Sequence, residues 1–278
     1  MKMAIKRWIF GALLVVNILP LAAQKVEQER DFTWNASAVV TSNYIWRGLY
    51  VGGPSVQVDA TVDYKGLFAN MWWNIGATDW TFSELNPEVD LSIGYSRWGV
   101  TVMYMHMYYF DRYKDGTISK FFDFKNHERG GGGTTGEWRV SYRVSDKLPL
   151  SCLVAFRTFG RDGYYVDGAL KRAYSSYIEL GYDFALGENW QLDARLGMTP
   201  AKSLYTRFEG DFAVTMVGLK LHKTWAMRQE GNGARVRVFA HVMLQPWQLT
   251  KDNLSKPIAE AGEQKLNMAI GCSVAFGD

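Results

Sequence analysis

The chain has 278 residues, with 31 basic and 28 acidic side chains, 47% apolar residues and 15% aromatic ones, among them 11 Trp and 15 Tyr. Three of the basic residues, Lys2, Lys6 and Arg7, precede an apolar run at 8–21; beyond it the charges balance at 28 of each, so nothing supports nucleic-acid binding. No second long apolar run follows, which argues against a bundle of membrane-spanning helices.

The N-terminus has the layout of a cleaved secretory signal: basic residues, the apolar run, small Ala22 and Ala23, then Gln24 and a charged stretch at 25–30. Cleavage after Ala23 divides the chain into a signal peptide at 1–23 and one domain at 24–278. A retained helix would need about 20 apolar residues, more than this run offers. No cysteine stands at the cleavage point to carry a lipid anchor.

After the signal, about a dozen segments of roughly 10 residues follow, the length a tilted strand needs to cross a bilayer. The segments 32–41, 54–64 and 67–77 come first. The second alternates most cleanly, with Val56, Val58, Ala60, Val62 and Tyr64 on one face and Ser55, Gln57, Asp59, Thr61 and Asp63 on the other. Successive strand residues point to opposite faces, so this strand has one oily side and one wet side. Val89, Leu91, Ile93 and Tyr95 alternate with Glu88, Asp90, Ser92 and Gly94. The run 100–110 is apolar on both faces and leaves its register open. Further alternating segments lie at 137–144, 177–184, 190–198 and 235–242, each keeping its charges to one face, and 149–159 and 211–222 also read as strands. Cys152 and Cys272 fall on apolar faces, as buried or lipid-facing thiols; a disulfide between them is left open by spacing alone.

The connections alternate as well. Short turns fall near 64–66, 97–99, 145–148 and 186–189, with a longer one at 226–234. Between them come loops near 42–53, 78–86, 111–135, 160–172, 200–210 and 245–264. Short turns on one side and long loops on the other predict an all-β fold: a transmembrane, up-and-down antiparallel β-barrel of about 12 strands. A soluble sandwich also alternates, but has no reason to keep the two loop classes in strict succession. The expected setting is the bacterial outer membrane, with both termini periplasmic and outer-membrane lipids as partners.

The closing segment alternates Leu266, Met268, Ile270, Cys272, Val274 and Phe276. It resembles the last strand of outer-membrane proteins, whose near-terminal aromatic is read by the barrel-assembly machinery; here Gly277 and Asp278 follow the aromatic. The first loop reads Ser42-Asn43-Tyr44-Ile45-Trp46-Arg47-Gly48, then Gly53-Pro54-Ser55. Over residues 36–75 this resembles the start of the TorF family of outer-membrane porins, in which a Ser-x-Tyr-x-x-Arg-Gly element precedes a proline and the second strand. The resemblance implies an outer-membrane barrel and a pore, and no particular solute.

The expected pore-lining residues are Arg47, Asp59, Asp90, Arg139, Arg157, Glu179, Asp193, Arg195 and Arg237. Early strands supply acids, with Asp63 and Glu88 beside Asp59 and Asp90. Later strands supply bases, with Arg143 and Arg235 beside the others, among Glu137, Asp183 and Asp193. Such a lining sets up a field across a pore that passes small polar solutes. The competing reading is a salt-bridge network that fills the tube, with Glu137–Arg139 and Asp193–Arg195 as local pairs. Arg47 has a functional reading, as a charge at the pore mouth, and a structural one, as a pin for the first loop; the structural one is preferred. Loop residues Lys114, Asp115, Lys120, Phe121, Phe122, Phe124, Lys125, His127 and Trp247 suit either binding a partner or narrowing the pore. The four histidines, His106, His127, His222 and His241, come with no GxSxG element, so no enzyme is expected. No metal-ligand spacing occurs. The glycine run 130–133 is followed by Thr134 and Thr135 rather than GKS or GKT, so no cofactor is expected.

Overall fold

A computed structural model describes residues 31–81, 84–110, 118–125, 133–227, 233–249 and 265–277. The proposed signal at 1–23, Lys114, Asp115, His127 and most of the 130–133 glycine run lie outside the described residues.

In chain order the strands are β1 Phe32–Thr41, β2 Tyr44–Trp46, β3 Leu49–Gly52, β4 Ser55–Tyr64, β5 Leu67–Gly76, β6 Glu88–Arg97, β7 Val100–Tyr109 and β8 Thr134–Arg143. They continue as β9 Leu150–Gly160, β10 Gly163–Val166, β11 Ala169–Arg172, β12 Ser176–Ala185, β13 Trp190–Thr199, β14 Ala213–Ala226, β15 Arg235–Leu244 and β16 Leu266–Gly277. Twelve of these form one closed antiparallel barrel, in which each strand pairs with its neighbours in the chain and β1 seals the tube against β16. The other four make two small hairpins, β2–β3 and β10–β11, set into long loops. Closure leaves no strand edge with unpaired backbone groups, which is what allows a sheet to stand in a medium without water.

The tight turns follow from their residues. Lys65-Gly66 and Trp98-Gly99 join their strands through two residues, all four with positive φ between 54° and 90°. That is the backbone a two-residue hairpin needs to match the twist of its strands, and glycine supplies half of it without steric cost. These turns share one end of the barrel with the 144–149, 186–189 and 227–234 connections and with both barrel termini. The six longer connections share the other end.

The register places the alternating faces as the sequence predicts. On the outer wall Val58, Val62, Ile93, Leu180, Leu219 and Ile270 are 39–67% exposed. A solvent-facing apolar belt of this extent is the mark of a surface made for lipid. Strand β7, apolar on both faces, is settled by its partners: Met105 pairs with Ser92 and Glu137, so Met103, Met105 and Met107 point inward and Val102, Tyr104 and His106 outward. Cys152 and Cys272 face outward on β9 and β16, both as free thiols.

A β-bulge interrupts the β8–β9 pairing beside Gly136 and Glu137, and Gly160 ends β9 with φ 83°. A Cβ at Gly160 would run into the Thr134 carbonyl. Gly160→Ala should therefore cost about 2–4 kcal/mol, the sum of a left-handed backbone penalty and a backbone clash. Loss of the heat-stable compact form on unboiled gels reports it; wild-type mobility after refolding would refute the assignment.

Candidate functional site: the lumen and its inward hairpin

The first long loop does not stay at the rim. Its β2–β3 hairpin enters the tube, with Arg47 and Gly48 forming the tip at φ 49° and 83°. The guanidinium of Arg47 makes a two-pronged contact with Glu137 on β8, both N–O distances being 2.8 Å, and donates to the Tyr205 hydroxyl at 2.6 Å. The Trp46 and Tyr177 rings lie 4.6 and 4.5 Å from it. Arg47 is 8% exposed and Glu137 is fully buried. The Gly48 carbonyl accepts from Asn267 at 2.9 Å and from Gln245, on the far side of the lumen. A side chain at position 48 would press on the Thr215 carbonyl and Met216. Tyr44 donates to Glu88 at 3.1 Å and packs on Trp72; burial first, then the Glu88 and Asp90 carboxylates, push its phenol well above the usual range. One hairpin thus braces against β5, β6, β8, β12, β14 and β16. Ala155, Tyr177 and Tyr205, with Trp46, Leu49 and Leu204 packed on them, form a small apolar core inside the tube at this level.

The expected lining residues on the strands all sit on inward faces, and their partners differ. Arg139 donates to Glu137 at 2.5 Å, the local pair anticipated from sequence. The other anticipated pair, Asp193–Arg195, does not form. Arg195 lies across Gly181, whose missing side chain leaves room, and reaches Asp183 at 2.6 Å and Glu179 at 3.8 Å. Arg143 joins Asp183 from the other side at 2.6 Å. Asp193 instead accepts from Gln191 at 2.6 Å and lies 3.6 Å from His222. Asp59 accepts from Asn70 at 2.9 Å. Asp90 is buried on β6, two residues from Glu88. Arg157 is buried, lies over Trp46 and donates to the Arg161 carbonyl at 3.1 Å. Nearby Asp162 is clamped by the Ser175 amide and hydroxyl; burial pushes its carboxyl up against the pull of Arg157 and these bonds.

Toward the short-turn end the lumen opens into a cavity of about 440 Å³. Its wall is β14, β15, β16 and β1 with Gln57 of β4, and Asn43, Tyr44 and Ile45 of the first loop roof it. Arg237, Arg235 and Lys220 reach into it, with His241 and Phe239. Lys220 is not among the lining residues expected from the sequence. Its signal was present: Gly218, Lys220 and His222 alternate with Leu219 and Leu221. Tyr205, Gln245 and Asn267 could not be found that way, because their role is to hold a loop distant in sequence.

The described part of the third long loop takes the opposite course. Residues 118–125 fold back on the outer wall, where Phe121 stacks on His106 at 4.5 Å and Phe124 meets Phe159 at 4.8 Å. Among the described residues it is the first loop, and not the 118–125 segment, that enters the tube. His106 also bonds the Thr134 hydroxyl at 2.7 Å, and Thr134 is fully buried. Among the described residues no group of His, Cys, Asp and Glu has the arrangement of a metal site.

No family model matches the chain, and no curated protein does, so the likeness to TorF porins rests on residues 36–75 alone. Among solved structures it is similar to the CymD monoaromatic hydrocarbon channel, at 10% identity over 90% of this chain and 88% of that one, with a TM-score of 0.41. An outer-membrane channel from Pseudomonas putida F1 is 9% identical over 92% of this chain and all of its own, TM-score 0.44. A porin refined at 1.8 Å is 8% identical over 89% and 99%, TM-score 0.33.

Proposed function

We propose that the chain is a passive channel of the bacterial outer membrane for small polar or charged solutes, inserted by the barrel-assembly machinery with both termini in the periplasm. The observation that carries this reading is the pairing of an apolar outer wall with a polar, charged inner face that encloses a cavity of about 440 Å³. That volume is of the size that takes a small-molecule solute. The inward hairpin then narrows the passage at the long-loop end, where it sets a size limit. The TorF-like first loop agrees with a pore, since its Tyr44-Ile45-Trp46-Arg47-Gly48 segment is the part that enters the lumen.

A second reading has its own support. The Arg47–Glu137 clamp, braced round much of the wall, suits a permanently filled barrel that displays its long loops to a partner. Planar-bilayer recording of the purified protein separates the two. Discrete conductance steps are expected from the wild type; a silent bilayer with correctly folded protein would favour the filled barrel.

A further inference from the structure

We infer that the cavity at the short-turn end is an anion vestibule, and that the channel prefers small anions over cations; this rests on the channel reading above. The charged residues lining the cavity are Lys220, Arg235 and Arg237, and no carboxylate lines it. Elsewhere in the lumen Glu137 is matched by Arg47 and Arg139, and Asp183 by Arg143 and Arg195. Arg235 and Arg237 have no such match among the described residues. They stand two apart on the inward face of β15, at the end nearest the barrel mouth.

Local contacts hold Arg237 and Lys220 in place without neutralising them. Arg237 donates to the Thr224 hydroxyl at 3.1 Å. Lys220 lies 4.4 Å from the Phe239 ring, with Asp193 opposite it in register as the partial offset. Asp59 and Asp63 face the same lumen from β4, but accept hydrogen bonds from Asn70 and the Gly66 amide and do not line the cavity. Ser273, beside Arg237 in register, and Asn35 and Ser37 on β1 offer short neutral polar groups. Two unmatched guanidinium groups at the mouth of a water-filled tube concentrate anions there and deplete cations, whatever the anion's identity.

The test is the reversal potential of the full-length protein in a planar bilayer under a potassium chloride gradient. Wild type should prefer chloride to potassium by about threefold, the size expected for two unit charges acting across a water-filled tube. Arg235→Glu combined with Arg237→Glu should bring the ratio below one, and the neutral pair Arg235→Gln with Arg237→Gln should fall between. Inorganic phosphate should reduce the chloride current of wild type more than that of either variant. Gel mobility before and after boiling shows that each variant has folded. A wild type that prefers potassium or neither ion, or a charge-reversed pair that keeps the wild-type ratio, overturns the vestibule and leaves the channel standing. A wild-type bilayer with no conductance overturns both.

Discussion

Arg47→Ala should both destabilise the protein and enlarge its conductance. The side chain is 8% exposed and shares two hydrogen bonds with Glu137, itself fully buried. Breaking a buried ion pair by removing one partner costs about 3–5 kcal/mol, because the remaining charge loses its compensation. Arg139 still holds Glu137 after the change, so the lower end, about 3 kcal/mol, is expected. The lost contacts with Trp46 and Tyr177 add to this. Glu137→Ala should cost more, since it strands Arg47 under the hairpin with Tyr205 as its remaining hydrogen-bond partner. Urea unfolding in phospholipid vesicles measures each change, and the double variant isolates the coupling, expected at about 2 kcal/mol. Because the pair fixes the tip of the hairpin, each variant should also show larger or noisier conductance steps. Wild-type stability together with wild-type steps would mean that the clamp does not hold the hairpin.

The second large effect lies one residue apart on a single strand. Val58 faces outward on β4, and Gln57 faces the cavity. Val58→Arg puts a charge on the lipid face and should cost about 2–4 kcal/mol. Gln57→Arg adds a charge to a wet lumen and should stay within about 1 kcal/mol, while raising the preference for chloride. Equal stability losses from the two substitutions would show that the faces have been assigned wrongly, and with them the barrel register.

The lumen was only partly legible in the sequence. The inward positions of Asp59, Asp90, Arg139, Glu179 and Arg195 follow from a period of two, which any reader of the strand recovers. The partners of these charges do not. Arg195 sits two residues from Asp193 but crosses the bare backbone of Gly181 to Asp183, a choice made by the shape of the neighbouring strand. The length of the first loop marked it as long, yet nothing in its sequence says that it turns inward. That depends on Glu137, Tyr205, Gln245 and Asn267, whose positions are set only when the barrel closes.

By itself, then, the sequence determined the wall: strand number, oily and wet faces, and the alternation of short turns with long loops. These rest on local rules, since each strand residue must face one side or the other and each tight turn needs its own backbone angles. The tertiary structure alone decided the interior: the side β7 presents, the inward course of one loop and the outward course of another, and which cations remain unmatched at the short-turn end. Those outcomes depend on contacts between residues more than 200 positions apart, such as Gly48 and Asn267 at 219, and only closure of the barrel brings them together.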